Sequence, residues 1–143
     1  MRLTGSWQIF TLGSALFAGL TTVLAKVGVS GINSNLATLL RTVVILAFIS
    51  GIVIWRGEWE APLSLPRRSL VFLVLSGLVT GASWLCYYRA LQLGPAARVA
   101  PLDKLSVVVA MLLAVVFLGE SLTWKSAIGG ALISFGAILL SLP

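Results

Sequence analysis

Four ionisable residues stand within or at the edge of long apolar runs: Lys26, Arg41, Asp103 and Lys104. Each would cost about 2.5–3.5 kcal/mol at the centre of a membrane helix, so their retention is the main chemical clue in the chain. Trp84 and Tyr88 share one helical face with Gly81, at i, i+3 and i+7. Aromatic rings near a span end most often form an interfacial belt. Trp84, however, is a full turn deeper than a belt requires, and Gly81 leaves space beside it, as the wall of a pocket would. Lys26, Arg41, Trp84, Tyr88, Asp103 and Lys104 are therefore the candidate residues of a substrate pathway. That chemistry is recognition rather than bond making. With no His, a lone Cys86 and no carboxylate pair, little is available for acid–base or nucleophilic work, and no enzyme activity is expected. No metal site and no cofactor are expected either, and an intrachain disulfide is impossible.

The elements that hold these residues follow from composition. The 143 residues suffice for one domain; 59% are hydrophobic and 10% charged, with mean hydropathy +1.07. Soluble proteins carry about 25% charged residues, so this is an integral, multi-pass membrane protein, expected in the cell (inner) membrane. The net charge of +6 reflects a shortage of carboxylates (Glu58, Glu60, Asp103 and Glu120) rather than a nucleic-acid surface. Basic flanks of membrane spans account for it, and no nucleic-acid partner is expected.

Five spans are predicted, at about residues 7–25, 36–55, 70–88, 99–118 and 124–142. The first is too long for a signal-peptide core and reads as a retained span. It carries a stripe of small and polar residues, Thr11, Ser14, Ala18, Thr21 and Ala25, suited to close helix packing or to lining a pathway. A polar turn, residues 31–35, offers Asn35 as N-cap of the second span. Arg41 then lies about 9 Å into that span, where it either snorkels to headgroups or serves inside the bundle. Residues 56–69, with Pro62, Pro66, Arg67 and Arg68, form the longest loop, and Gly94-Pro95 precedes the fourth span. Pro101 leaves the carbonyl near Ala97 without a donor, which is harmless in a first turn and useful if it lines a cavity. Asp103 and Lys104, adjacent and so about 100° apart on a helix, are not expected to pair. Lys26 or Arg41 are the candidate partners of Asp103. In the last span Ser126, Gly130 and Ser134 recur every fourth residue, a surface for helix packing, of which a dimer contact is one form.

Five crossings place the termini on opposite sides of the membrane. The N-terminal side holds Arg2, Arg56, Arg67, Arg68 and Lys125; the other holds Lys26, Arg41, Arg89, Arg98 and Lys104. Orientation follows Lys/Arg bias, and here there is none or little, so insertion both ways up is expected. The second group forms a net positive layer beside the aromatic face of the third span. A substrate with an anionic group, such as a carboxylate, is the corresponding expectation.

The run RALQLGPAARVAPLDKLSVVVAMLLAVVFLGE, followed by GGALISFGAILL, resembles the EamA domain of the drug/metabolite transporter superfamily. AKVG at the end of the first span and LATLLRT opening the second fit the same domain, so the resemblance covers nearly all of residues 1–143 as a single domain. It is closest to the short five-span bacterial and archaeal type. The resemblance implies an all-α fold that is one half of a ten-helix inverted-repeat transporter. It further implies a small-molecule exporter working by alternating access, as an antiparallel homodimer or a heterodimer with a paralogue among membrane lipids. The alternative is a non-transporting membrane subunit of a larger transporter or a lipid-carrier flippase. Related small multidrug resistance proteins bind protons and cationic drugs at a carboxylate in the first helix. This chain has none before Glu58, which argues against that chemistry and leaves Asp103 as the carboxylate placed for coupling. Glu120 matches the family's Gly-Glu ending of the fourth helix. A negative charge there opposes the helix dipole, so a basic partner such as Lys125 is expected.

Overall fold

The computed structural model describes residues 6–61 and 64–142; Arg2 and Pro62, counted above in a flank and a loop, lie outside them. The described residues form six helices: α1 (Ser6–Gly28), α2 (Ser34–Trp55), α3 (Arg67–Leu93), α4 (Ala96–Asp103), α5 (Ser106–Leu118) and α6 (Trp124–Ser141). Taking α4 and α5 as one interrupted span, Ala96–Leu118, gives five segments long and apolar enough to cross a membrane. Hydrocarbon offers no partner for backbone N–H and C=O groups, and helices satisfy theirs internally.

The helix limits have local causes. Asn33, not Asn35, caps α2: its backbone is extended, and its side-chain Oδ1 accepts from the N–H groups of Asn35 (2.8 Å) and Leu36 (3.4 Å). The Asn33-Ser34-Asn35 run offers three residues able to cap, and periodicity does not choose among them. α3 runs five residues past Tyr88, through Arg89 and Gln92, and stops where Pro95 disfavours helical geometry in the residue before it. Its 27 residues measure about 40 Å, more than a hydrocarbon core of about 30 Å, so α3 tilts or projects beyond it.

The fourth span is not the continuous helix expected from about residue 99. It starts at Ala96 and breaks after Asp103. Pro101 lies inside α4 and removes one rung of the ladder. Downstream, Lys104 and Leu105 donate to the carbonyls of Pro101 and Leu102, and Val107 and Val108 to those of Lys104 and Leu105. These i→i−3 bonds wind the chain more tightly before α5 restarts. At the end of α5, Gly119 adopts φ +67, a left-handed conformation that glycine accepts without a Cβ penalty. Thr123 then caps α6 by accepting the Ser126 N–H at 3.2 Å.

The chain divides into two compact units, Met1–Lys26 with Leu93–Pro143, and Val27–Gln92. In the first, α6 packs on α4 and α5. Gly130 is the buried contact point: a Cβ there would lie 3.4 Å from Met111 Cε and Sδ and 3.9 Å from Val108 Cγ2. Its neighbours Gly129 and Gly136 face open space, and Ser134 returns its hydroxyl to the Gly130 carbonyl at 2.9 Å. In the second unit, Ser34, Ala37 and Thr38 form the buried start of α2. Gln92 of α3 donates to the carbonyls of Val29 and Ile32, tying the turn before α2 to the end of α3. Across the five spans only 0–11% of each apolar window is buried within the chain, so most of the apolar surface is available to lipid or a partner.

Gly130→Leu is expected to lower stability by about 1–3 kcal/mol through overpacking against Met111. Gly136→Leu, with open space around it, should leave the stability of the detergent-solubilised protein, read from its thermal unfolding, within about 0.5 kcal/mol of the parent. Equal midpoints for the two variants would refute the contact.

Candidate functional site

Within Val27–Gln92, helices α2 and α3 bring Arg41, Trp84 and Tyr88 together. Arg41 lies on the α2 face that carries Ser34, Ala37 and Thr38 (i−7, i−4 and i−3). Its guanidinium carbon stands over the Trp84 ring at 4.5 Å from the centroid and over the Tyr88 ring at 5.5 Å. Both distances fall within the range in which a cation is attracted by the negative face of an aromatic ring. Tyr88 is 4% exposed, which pins one wall of the cluster. Trp84 and Arg41 are half-buried, and beside them Gly81 has no neighbouring atom within 4 Å of where a Cβ would stand. The contrast among tryptophans is informative. Trp7, Trp55, Trp59 and Trp124 are all more than 60% exposed and sit at helix ends or in a loop, where an interfacial belt belongs. Trp84 instead faces protein.

The same unit holds a feature that sequence reasoning missed. Asn33, Ser34, Asn35, Leu85, Cys86 and Arg89 line an open cleft of about 560 Å³. Arg89 Nη1 donates to Gln92 Oε1 at 3.0 Å, and the Gln92 amide continues to the turn carbonyls. The sequence signal for it is the Arg89–Gln92 spacing of one helical turn just ahead of Gly94-Pro95. At the other end of α2, Arg56 Nε meets Glu58 Oε1 at 2.8 Å on the surface.

In the unit formed by Met1–Lys26 and Leu93–Pro143, Lys26 Nζ donates to the Gly94 carbonyl at 2.8 Å. That carbonyl lies just past the end of α3, where no intrahelical donor is available and a cation is favoured. Asp103 and Lys104 stand at the break between α4 and α5, and here an expectation fails. Lys104 Nζ lies 3.6 Å from Asp103 Oδ2. The 100° argument holds on a continuous helix, but α4 ends at Asp103 and its winding tightens there, so the flexible lysine side chain turns back on its neighbour. Both side chains are more than one-third exposed, and the pair is weak. Lys125 does not pair with Glu120 among the described residues; the left-handed Gly119 turns Glu120 off the α5 axis. Glu120 lines instead a cleft of about 320 Å³ with Met111, Ser121, Ser126, Gly129 and Gly130. No cluster of His, Cys, Asp or Glu among the described residues could hold a metal ion.

An all-α chain with five membrane-length helices, carrying cations and a ring-bound arginine on those helices, is a multi-pass membrane protein. Residues 5–142 match the EamA-like transporter family, and the chain belongs to it, within the drug/metabolite transporter superfamily of small-molecule carriers. It is 57% identical over 139 residues to an uncharacterised transporter in the cobO 3′ region of a Sinorhizobium species, covering 97% of this chain and 99% of that protein. It is 34% identical over 76 residues to an uncharacterised protein of Methanocaldococcus jannaschii, covering 53% of this chain and 56% of the other. No solved structure matches the sequence.

A double-mutant cycle on Arg41→Met and Trp84→Ala should give a coupling energy of about 0.5–2 kcal/mol, the range of a cation over an indole ring. Reversible unfolding in mixed micelles provides the measurement. Strict additivity would mean that the ring contact contributes nothing.

Proposed function

We propose that this protein is a transporter of small metabolites in the inner membrane, working by alternating access as an antiparallel dimer. The observation that carries the reading is the retention of Arg41 on a membrane helix and its seating against Trp84 and Tyr88, in a chain that belongs to a transporter family. Lipid contact alone gives no reason to keep a charge at that depth. Lys26, Asp103 and Lys104 are the further pathway residues of the proposal, with Asp103 as the carboxylate available for coupling. The cargo carries an anionic group, in keeping with the excess of basic residues in that layer. Two five-span copies in opposite orientation reconstitute a ten-helix inverted repeat, in which a site lies at the repeat interface near the midplane. Both orientations are supported by the near equality of Lys and Arg on the two sides. The slight burial of every span within one chain leaves apolar surface for such a partner, a paralogue being the alternative to a second copy.

Topology tests the proposal. With the exposed Cys86 replaced by Ser and a thiol introduced by Ser64→Cys, a membrane-impermeant reagent on intact cells should label about half of the molecules. Permeabilisation should then expose the rest. Uniform labelling, or none before permeabilisation, removes the self-sufficient antiparallel dimer.

A further inference from the structure

The rings that hold Arg41 leave its hydrogen bonds unused. A guanidinium carries five N–H donors, and aromatic faces satisfy its charge without supplying a lone-pair acceptor in its plane. Within Val27–Gln92 no described oxygen hydrogen-bonds or ion-pairs with Arg41; its contacts there are with the two rings. Its own unit supplies no counter-ion. The only carboxylates in Val27–Gln92 are Glu58 and Glu60, beyond the far end of α2. About 21 Å of helix separates Arg41 from Trp55, and Glu58 is already engaged by Arg56. An arginine that cost energy to place in a membrane helix is thus oriented by the rings of its own unit and receives no acceptor from that unit.

We propose that Arg41 is an oxyanion-reading site, and that its ligand is a small organic carboxylate taken edge-on by the guanidinium in a two-bond fork. Two observations, together with the geometry of a guanidinium, favour that ligand. The residues one and two turns before Arg41 on its face, Ser34, Ala37 and Thr38, are buried, so the side chain leaves a packed surface of α2 rather than a lipid-facing one. The fork matches a planar carboxylate, which a lysine at the same place would meet only as a point charge. The space beside Gly81, one turn from Trp84 on the same face, leaves room for the apolar remainder of the ligand against the indole. The same geometry sets charge selectivity. The aromatic pair that would attract an organic cation already holds a tethered one, so quaternary ammonium ions are excluded until Arg41 is removed.

This inference deepens the transporter reading and rests on it only in treating the carboxylate as cargo. The test is equilibrium binding of benzoate to the full chain in an uncharged, phosphate-free detergent, with benzamide as the uncharged counterpart. Benzoate should bind saturably, more weakly at high salt, and benzamide should not compete. Arg41→Lys, which keeps the charge and the fold but loses the fork, should weaken benzoate at least tenfold. Arg41→Gln should abolish benzoate binding and admit tetramethylammonium, which the parent refuses. Equal affinity of the parent and Arg41→Lys, or competition by benzamide, overturns the assignment. So does binding that vanishes in phosphatidylglycerol nanodiscs at the same ionic strength, which would identify a lipid headgroup phosphate as the occupant. Benzoate flux in proteoliposomes separates the two readings. Binding that depends on Arg41 without any flux leaves this site standing and removes transport; flux indifferent to Arg41→Lys removes the site.

Discussion

A hydrocarbon slab contains no hydrogen-bonding solvent, and the rest of this structure depends on that constraint. Every backbone amide in a span must find its partner within the chain, and every charge must find a ring, a carbonyl or an opposite charge. The backbone meets the first demand with helices, and the breaks fall where glycine or proline forces them. The second demand is met differently at each charged residue. Arg41 takes two aromatic faces, Lys26 takes the Gly94 carbonyl, and Lys104 takes its neighbour Asp103. The Lys26 and Lys104 solutions sit at an end or an interruption of a helix, where carbonyls are left unused, whereas Arg41 is held two turns inside α2.

The interruption of the fourth span at residues 104 and 105 is the clearest link from sequence to site. Pro101 removes a backbone donor, the following bonds shorten to i→i−3, and the helix ends one residue before Lys104. A charged pair that helical geometry would hold apart can then close. Strain is not required for this; a missing N–H and a flexible lysine suffice. Gly119 plays a comparable part at the far end of α5. Its left-handed backbone sends Glu120 into the cleft beside Gly130 and away from Lys125.

Packing within the chain is sparse, which is consistent with a membrane protein whose helices have other surfaces to meet. Small residues serve where they let a neighbour approach. Gly130 admits Met111, while Gly129 and Gly136 on the same helix admit nothing from this chain. A stripe of small residues therefore does not mark one interface by itself; the stripe is wider than the contact it makes. The hydroxyls on α2 and α6 behave similarly. Thr38, Thr42 and Ser134 return their protons to carbonyls one turn back, which hides their polarity from a bilayer and removes them from the list of free donors.

The sequence by itself determined the all-α membrane class, the five spans and the family, because hydropathy over about twenty residues is a local sum that no tertiary contact reverses. It also singled out Arg41, Trp84 and Tyr88 as chemically unusual, since each departs from its local surroundings. Tertiary structure alone decided that these three meet. Arg41 lies more than forty positions from the two rings in the chain, and helical spacing orders residues on one helix without fixing which faces of two helices oppose. Local competition left open in the periodic pattern decided that Asn33 rather than Asn35 caps α2, that α3 continues to Leu93, and that Asp103 and Lys104 pair. Each of these depends on where a helix ends to within a residue or two. End position is set by competition among neighbouring caps, prolines and side-chain bonds of similar strength, and a periodic pattern carries no term for that competition.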